Sequence, residues 1–156
     1  DNLLINLQAD TNNQDSYQQN LVAIYHLVQD ASPDEVSSKF FEIYKTLLAK
    51  LENESNSRSK ITILQIIGVL VRKSPCDECM ETTIVRLLEA NKDAEKDVIK
   101  AAEEAANLAV SSYDANKCFL ILKPYINACD STLAIAAIKM LTKVSALLLI
   151  RLLAHN

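Results

Sequence analysis

The 156-residue chain has no tryptophan, one glycine, three prolines, two histidines and only 5% aromatic residues. Each scarcity removes a class of answer. A phosphate-cradling loop needs glycines so that backbone amides can approach the anion, and the lone Gly68 lies inside an apolar helical run. Nucleotide enzymes of the familiar motif classes are therefore excluded. His26 and His155 cannot by themselves build a multi-histidine metal site, nor a triad. Helical periodicity sets His26 opposite the stripe of Leu21, Ile24, Tyr25 and Val28, so it is expected to face solvent. Glu103 and Glu104 are helix neighbours that point in different directions and form no acid–base dyad. The expectation is a chain without catalysis or cofactor.

A surplus of positive charge is also missing. With 16 Lys and Arg against 20 Asp and Glu the net charge is −4, whereas phosphate neutralisation needs a basic surplus on at least one face, so no nucleic-acid partner is expected. What the chain does have is 49% hydrophobic residues, rich in Ala and Leu, in a composition that starves β-hairpins of turn residues. An all-α fold follows, in one domain long enough to bury a substantial core.

Four cysteines, Cys76, Cys79, Cys118 and Cys129, are read as free thiols of a reducing compartment, mostly buried as small apolar residues. Cys76-x-x-Cys79 could open a zinc site, but Cys118 and Cys129 are not spaced as its second half and no histidine is near, so no metal is expected. The run from Leu133 to Leu153 raises the membrane question. Lys139, Lys143 and Arg151 interrupt it, and it is read as a core helix with no membrane insertion.

Eight helical segments can be traced, at about 1–9, 16–30, 33–52, 58–73, 75–90, 94–112, 115–128 and 131–154. Ser32-Pro33-Asp34-Glu35 carries a cap, a proline at the first helical position and a Glu that closes a capping box, and Ser74-Pro75 looks like the same device. Pro124 falls inside the seventh segment and should bend it. In the third segment Phe40, Phe41, Tyr44, Leu47, Leu48 and Leu51 form an apolar stripe expected to pack on Ile63, Ile66, Ile67 and Leu70 of the fourth. Gly68 within that fourth helix costs about 1 kcal/mol relative to Ala, which makes sense if another backbone crosses close to it.

Polar turns near Asn53–Ser57, Asn91–Asp93 and Cys129–Asp130 recur about every 38 residues, close to the HEAT period. After the second of these turns Val98, Ala101, Ala102, Ala105, Leu108 and Ala109 line one helical face with small side chains, as on the inner helix of a HEAT unit. The segments pair into four hairpins, which must stack to bury their faces: a HEAT-repeat α-solenoid. Such arrays bind rather than catalyse. Arg58, Lys60, Lys92, Asp93, Glu95 and Lys96 fall at the intra-repeat turns along one edge of the array and are the candidate partner-binding residues.

From Thr82 to Val144 the residues Thr-Thr-Ile-Val-Arg-Leu-Leu-Glu-Ala-Asn-Lys-Asp, then Val-Ile-Lys-Ala-Ala-Glu-Glu-Ala-Ala, then Cys118 to Pro124, then Leu-Ala-Ile-Ala-Ala-Ile-Lys-Met-Leu-Thr-Lys-Val, resemble the C-terminal domain of the CLASP family of CLIP-associating microtubule regulators. The resemblance implies a TOG-like HEAT array at the C-terminal end of a longer protein, with no enzymatic activity. It would dock CLIP-type, kinetochore or cortical adaptor proteins in the cytoplasm and cytoskeleton, at microtubule plus ends, the spindle and kinetochores. The alternative it implies is direct binding of tubulin or microtubules, with Lys92 and Lys96 at turn positions where such domains carry basic contacts. Tubulin-gripping relatives present a tryptophan in the first intra-repeat turn, which this chain lacks. TOG-like arrays have about six repeats and four are counted here. Leu147 to Leu153 should therefore fold back on the preceding repeat or pair with a second copy of the chain.

Overall fold

The computed structural model describes residues 2–9 and 13–155; the expected first helix begins at Asp1, outside them. Among the described residues there are eight α-helices and no strand: α1 (Asn2–Ala9), α2 (Gln14–Asp30), α3 (Pro33–Asn53), α4 (Ser57–Lys73), α5 (Asp77–Ala90), α6 (Lys96–Ser112), α7 (Ala115–Leu122) and α8 (Ser131–Ala154). They form four hairpins, α1–α2, α3–α4, α5–α6 and α7–α8. The second helices, α2, α4, α6 and α8, pack on one another in sequence as an inner layer, which is the stacking expected of a helical-repeat solenoid.

Sequence features set the ends of these elements. Ser32 Oγ accepts from Glu35 N while Glu35 Oε2 accepts from Ser32 N, so the capping box opens α3 as expected. Ser74-Pro75 does not repeat it. Ser74 instead closes α4, its amide donating to Leu70 O and its hydroxyl pairing with Ser37, and α5 starts only at Asp77. A residue before proline is pushed to extended backbone, which stops the helix before the proline as readily as it starts one after it. Pro124 ends α7 early: residues 123–127 tighten into a 3-10 turn where one bent helix to 128 was expected.

The inner layer is tight because its contact residues are small. Ala101, Ala102, Ala105 and Ala109 of α6 are buried, and a Cβ on Gly68 of α4 would stand 3.0 Å from Leu108 Cδ1 and 3.3 Å from the Ala105 Cα. The α6 backbone thus crosses α4 at its only glycine, the close approach that would account for a glycine there. Phe40, Tyr44 and Leu47 bury with Ile63, Ile66, Ile67 and Leu70, but Phe41 is a correction: it stays 47% exposed, one step round the helix, with its ring edge-on to Phe40.

The last helix is core in its first half only. Ala136, Ala137, Met140, Leu141 and Val144 are buried, whereas Leu149, Ile150, Leu152 and Leu153 are 57–67% exposed, so the run does not fold back on the preceding repeat. The short α7 and its 3-10 turn cover only the beginning of a 24-residue helix. Despite its three cations, α8 is long and apolar enough to cross a membrane by length and composition.

Candidate partner-binding edge

The described intra-repeat turns lie between α3 and α4, α5 and α6, and α7 and α8, on the same edge of the array, and polar contacts tie each repeat to the next there. At the first junction Gln18 Nε2 donates to Thr62 Oγ1 at 3.0 Å, Ser59 Oγ donates to Gln18 Oε1 at 3.0 Å, and Gln14 Nε2 donates to Ser59 Oγ. The second junction is the ion pair of Lys60 with Asp93, 2.7 Å apart and largely shielded, with side chains 22% and 14% exposed. At the third, Lys92 meets Asp130 at 2.8 Å. Three candidates, Lys60, Lys92 and Asp93, therefore join repeats rather than simply facing outward.

Asp93 is the most constrained of them. Its other carboxylate oxygen accepts from Glu95 N at 2.9 Å, which turns the chain into α6. Burial pushes its carboxyl up, but the Lys60 ammonium and the amides of Glu95 and Ala94 outweigh that and hold it below the ordinary carboxylate value. Asp130 is likewise lowered, first by Lys92 and then by the amides of Leu133 and Thr132 that it caps, while the Lys92 ammonium is raised by Asp130. Arg58, Glu95 and Lys96 remain exposed, Arg58 in the first turn of α4 and Lys96 in the first turn of α6.

Beside the Lys60–Asp93 pair a cleft of about 290 Å³ opens between the second and third repeats. The half-buried Leu51 and Ala90 give it apolar surface over the buried Leu64 and Val98, and its charged groups are four carboxylates, Glu52, Glu54, Glu89 and Asp93, against two cations, Lys60 and Arg86. Arg86 bridges its mouth, pairing with Glu52 on α3 and with Glu89 on its own helix at 3.4 Å. Sequence reasoning placed Lys60 and Asp93 on this edge but missed Glu52, Glu54, Arg86 and Glu89. Partners 34 residues apart, such as Glu52 and Arg86, become neighbours only once the repeat length and register are fixed.

The remaining reactive groups are quiet. Burial pushes the thiols of Cys79 and Cys118 up to about 11, which leaves neither a ready nucleophile. Cys76 is half-buried and Cys129 is exposed in the turn before α8, a correction to the expectation of buried thiols. No group of three or more metal-binding side chains converges among the described residues. His26 is exposed, as expected.

No protein-family model matches the chain. Individual relatives do. The chain is 33% identical over 111 residues to CLIP-associating protein 1 of Xenopus tropicalis and to CLIP-associating protein 1-B of Xenopus laevis, matches that take in 70% of the chain. It is 25% identical over 115 residues to a CLIP-associated protein of Arabidopsis thaliana. The matched segment is about 8% of each relative's own length.

Proposed function

The chain belongs to the CLIP-associating protein family through those 111 residues, and on that premise we propose that it is a non-catalytic docking array of a microtubule-associated regulator. The surface offered to partners is the intra-repeat turn edge, with the cleft between the second and third repeats at its centre. The observation that supports this reading is the set of polar ties on that edge. They hold Arg58, Lys96 and the acidic cleft at fixed spacing, so a partner meets a preorganised surface and loses little ordering free energy on binding. A partner that fits presents an apolar side chain to Leu51 and Ala90, a Lys or Arg for Glu54 and Glu89, and carboxylates for Arg58 and Lys96.

The relatives' name points to CLIP-type proteins as partners, with kinetochore and cortical adaptors as further candidates at microtubule plus ends and the spindle. Direct binding of tubulin is the competing reading, favoured by the exposed Arg58 and Lys96 and disfavoured by the absent tryptophan and by Lys92 being occupied with Asp130. Cosedimentation with tubulin and with microtubules at moderate salt, run beside a titration against a CLIP-type fragment, separates the two. Adaptor docking requires saturable binding of the fragment without tubulin. Binding of tubulin alone would replace it with the competing reading.

A further inference from the structure

Two of the four thiols meet at the start of α5. Cys76 is the N-cap of that helix and Cys79 its third residue, with the Cys79 amide donating to Cys76 O at 3.1 Å. These are the two positions whose side chains bridge in a capping box, as Ser32 and Glu35 do at the start of α3. In α5 both hold cysteine. The Cys76 side chain makes no capping hydrogen bond, and the Cys79 S–H donates toward the Cys76 sulfur. Cys76 is half-buried and within reach of solvent, whereas Cys79 is only 8% exposed. From the core side the Tyr44 hydroxyl donates to Cys79 O at 3.4 Å and pairs with Thr83 Oγ1 one turn further along α5, so the turn that carries both thiols is held in place.

We propose that Cys76 and Cys79 form a reversible disulfide by exchange with a low-molecular-weight disulfide such as glutathione disulfide. The Cys76 thiolate, the one an oxidant reaches, attacks one sulfur of glutathione disulfide; a Cys76–glutathione bond forms and one glutathione thiolate leaves. Cys79 then gives its proton to solvent, its sulfur attacks Cys76 Sγ, and the second glutathione leaves as thiolate. Two electrons pass from the cysteine pair to glutathione disulfide, and two protons convert the departing thiolates into thiols. Burial first, and then the Cys76 thiol beside it, make Cys79 hold its proton in the resting pair. The first exchange removes the Cys76 charge and leaves the sulfur to be attacked on the same turn. That turn is already wound, so closure orders no further backbone. Oxidation supplies α5 with the link from N-cap to third residue that its thiol form lacks, at the connection between the second and third repeats.

The test is incubation of the whole folded chain with glutathione disulfide, alkylation of the remaining thiols, and mass spectrometry of the tryptic peptide 74–86, which holds both cysteines. The exposed Cys129 reports in the same sample that the oxidant was active. In the parent, peptide 74–86 should lose two hydrogens without keeping glutathione, and reduced glutathione should reverse the change. Cys79→Ser should stop at the Cys76–glutathione adduct. Cys76→Ser, which keeps a good N-cap residue, should leave Cys79 unmodified. At one fixed ratio of reduced to oxidised glutathione, the ratio of disulfide to thiol in this peptide should be at least about tenfold higher for the folded chain than for the chain in concentrated urea. A peptide 74–86 that stays fully alkylated while Cys129 carries glutathione overturns the proposal, as does a glutathione adduct that persists on Cys76 of the parent. Equal disulfide content in the folded and unfolded chains overturns it too, because the fold would then contribute nothing to the pairing.

Discussion

Asp93 and Lys73 show how single side chains lock one repeat to the next on opposite edges of the array. Asp93 is stabilised as a carboxylate by Lys60 and by two amides, so its pKa in the folded chain lies below that in the unfolded chain. The stabilisation is therefore complete above the unfolded value of about 3.9 and is lost as pH falls through the folded one. Asp93→Asn should lower the melting temperature at pH 7, and the gap from the parent should shrink as pH is taken down to about 3. A gap that stays constant with pH would remove the carboxylate's charge from the account. Lys73 is the counterpart at the far edge: from the last turn of α4 its ammonium donates to Val28 O at 2.8 Å, to Ala31 O at 2.6 Å and to Gln29 O, the unsatisfied carbonyls at the end of α2. Lys73→Ala should cost about 1.5–3 kcal/mol, the range for hydrogen bonds from a charged donor, measured by urea unfolding. A loss below about 0.5 kcal/mol would mean that water replaces the ammonium without penalty.

At the level of elements, the α4–α6 contact decides whether the inner layer can close. Ala105 is 2% exposed and its backbone lies against Gly68, so Ala105→Leu must push two helices apart and should destabilise by about 1–3 kcal/mol. Unchanged unfolding would show that the helices have room to separate. Helix placement was largely legible in advance, because caps, prolines and 3.6-residue periodicity are local signals: the Ser32 box and the small-residue face of α6 stand where they were read. A local signal with two meanings does not decide between them. Ser74-Pro75 could end one helix or begin the next, and Phe41 could extend a stripe that its neighbour Phe40 already filled. The edge itself was visible as a cluster of turn residues, but its cleft was not, since Arg86 and Glu52 sit on different repeats.

For the whole molecule, polar ties at all three junctions of the turn edge and the Lys73 clamp on the other add to the apolar packing that stacks the eight helices. The turn edge carries an acidic cleft and two exposed cations, Arg58 and Lys96, the surface on which the proposed docking rests. The chain spans only about 8% of the relatives it matches. The most direct measurement is a calorimetric titration of a CLIP-type fragment into the parent chain and into the double variant Arg58→Glu, Lys96→Glu. Neither residue is buried or forms part of a tie between repeats, so the variant should melt with the parent while its affinity falls by about tenfold or more, equivalent to 1.4 kcal/mol. Equal affinity for parent and variant, with both fully folded, would contradict the assignment of binding to the turn edge.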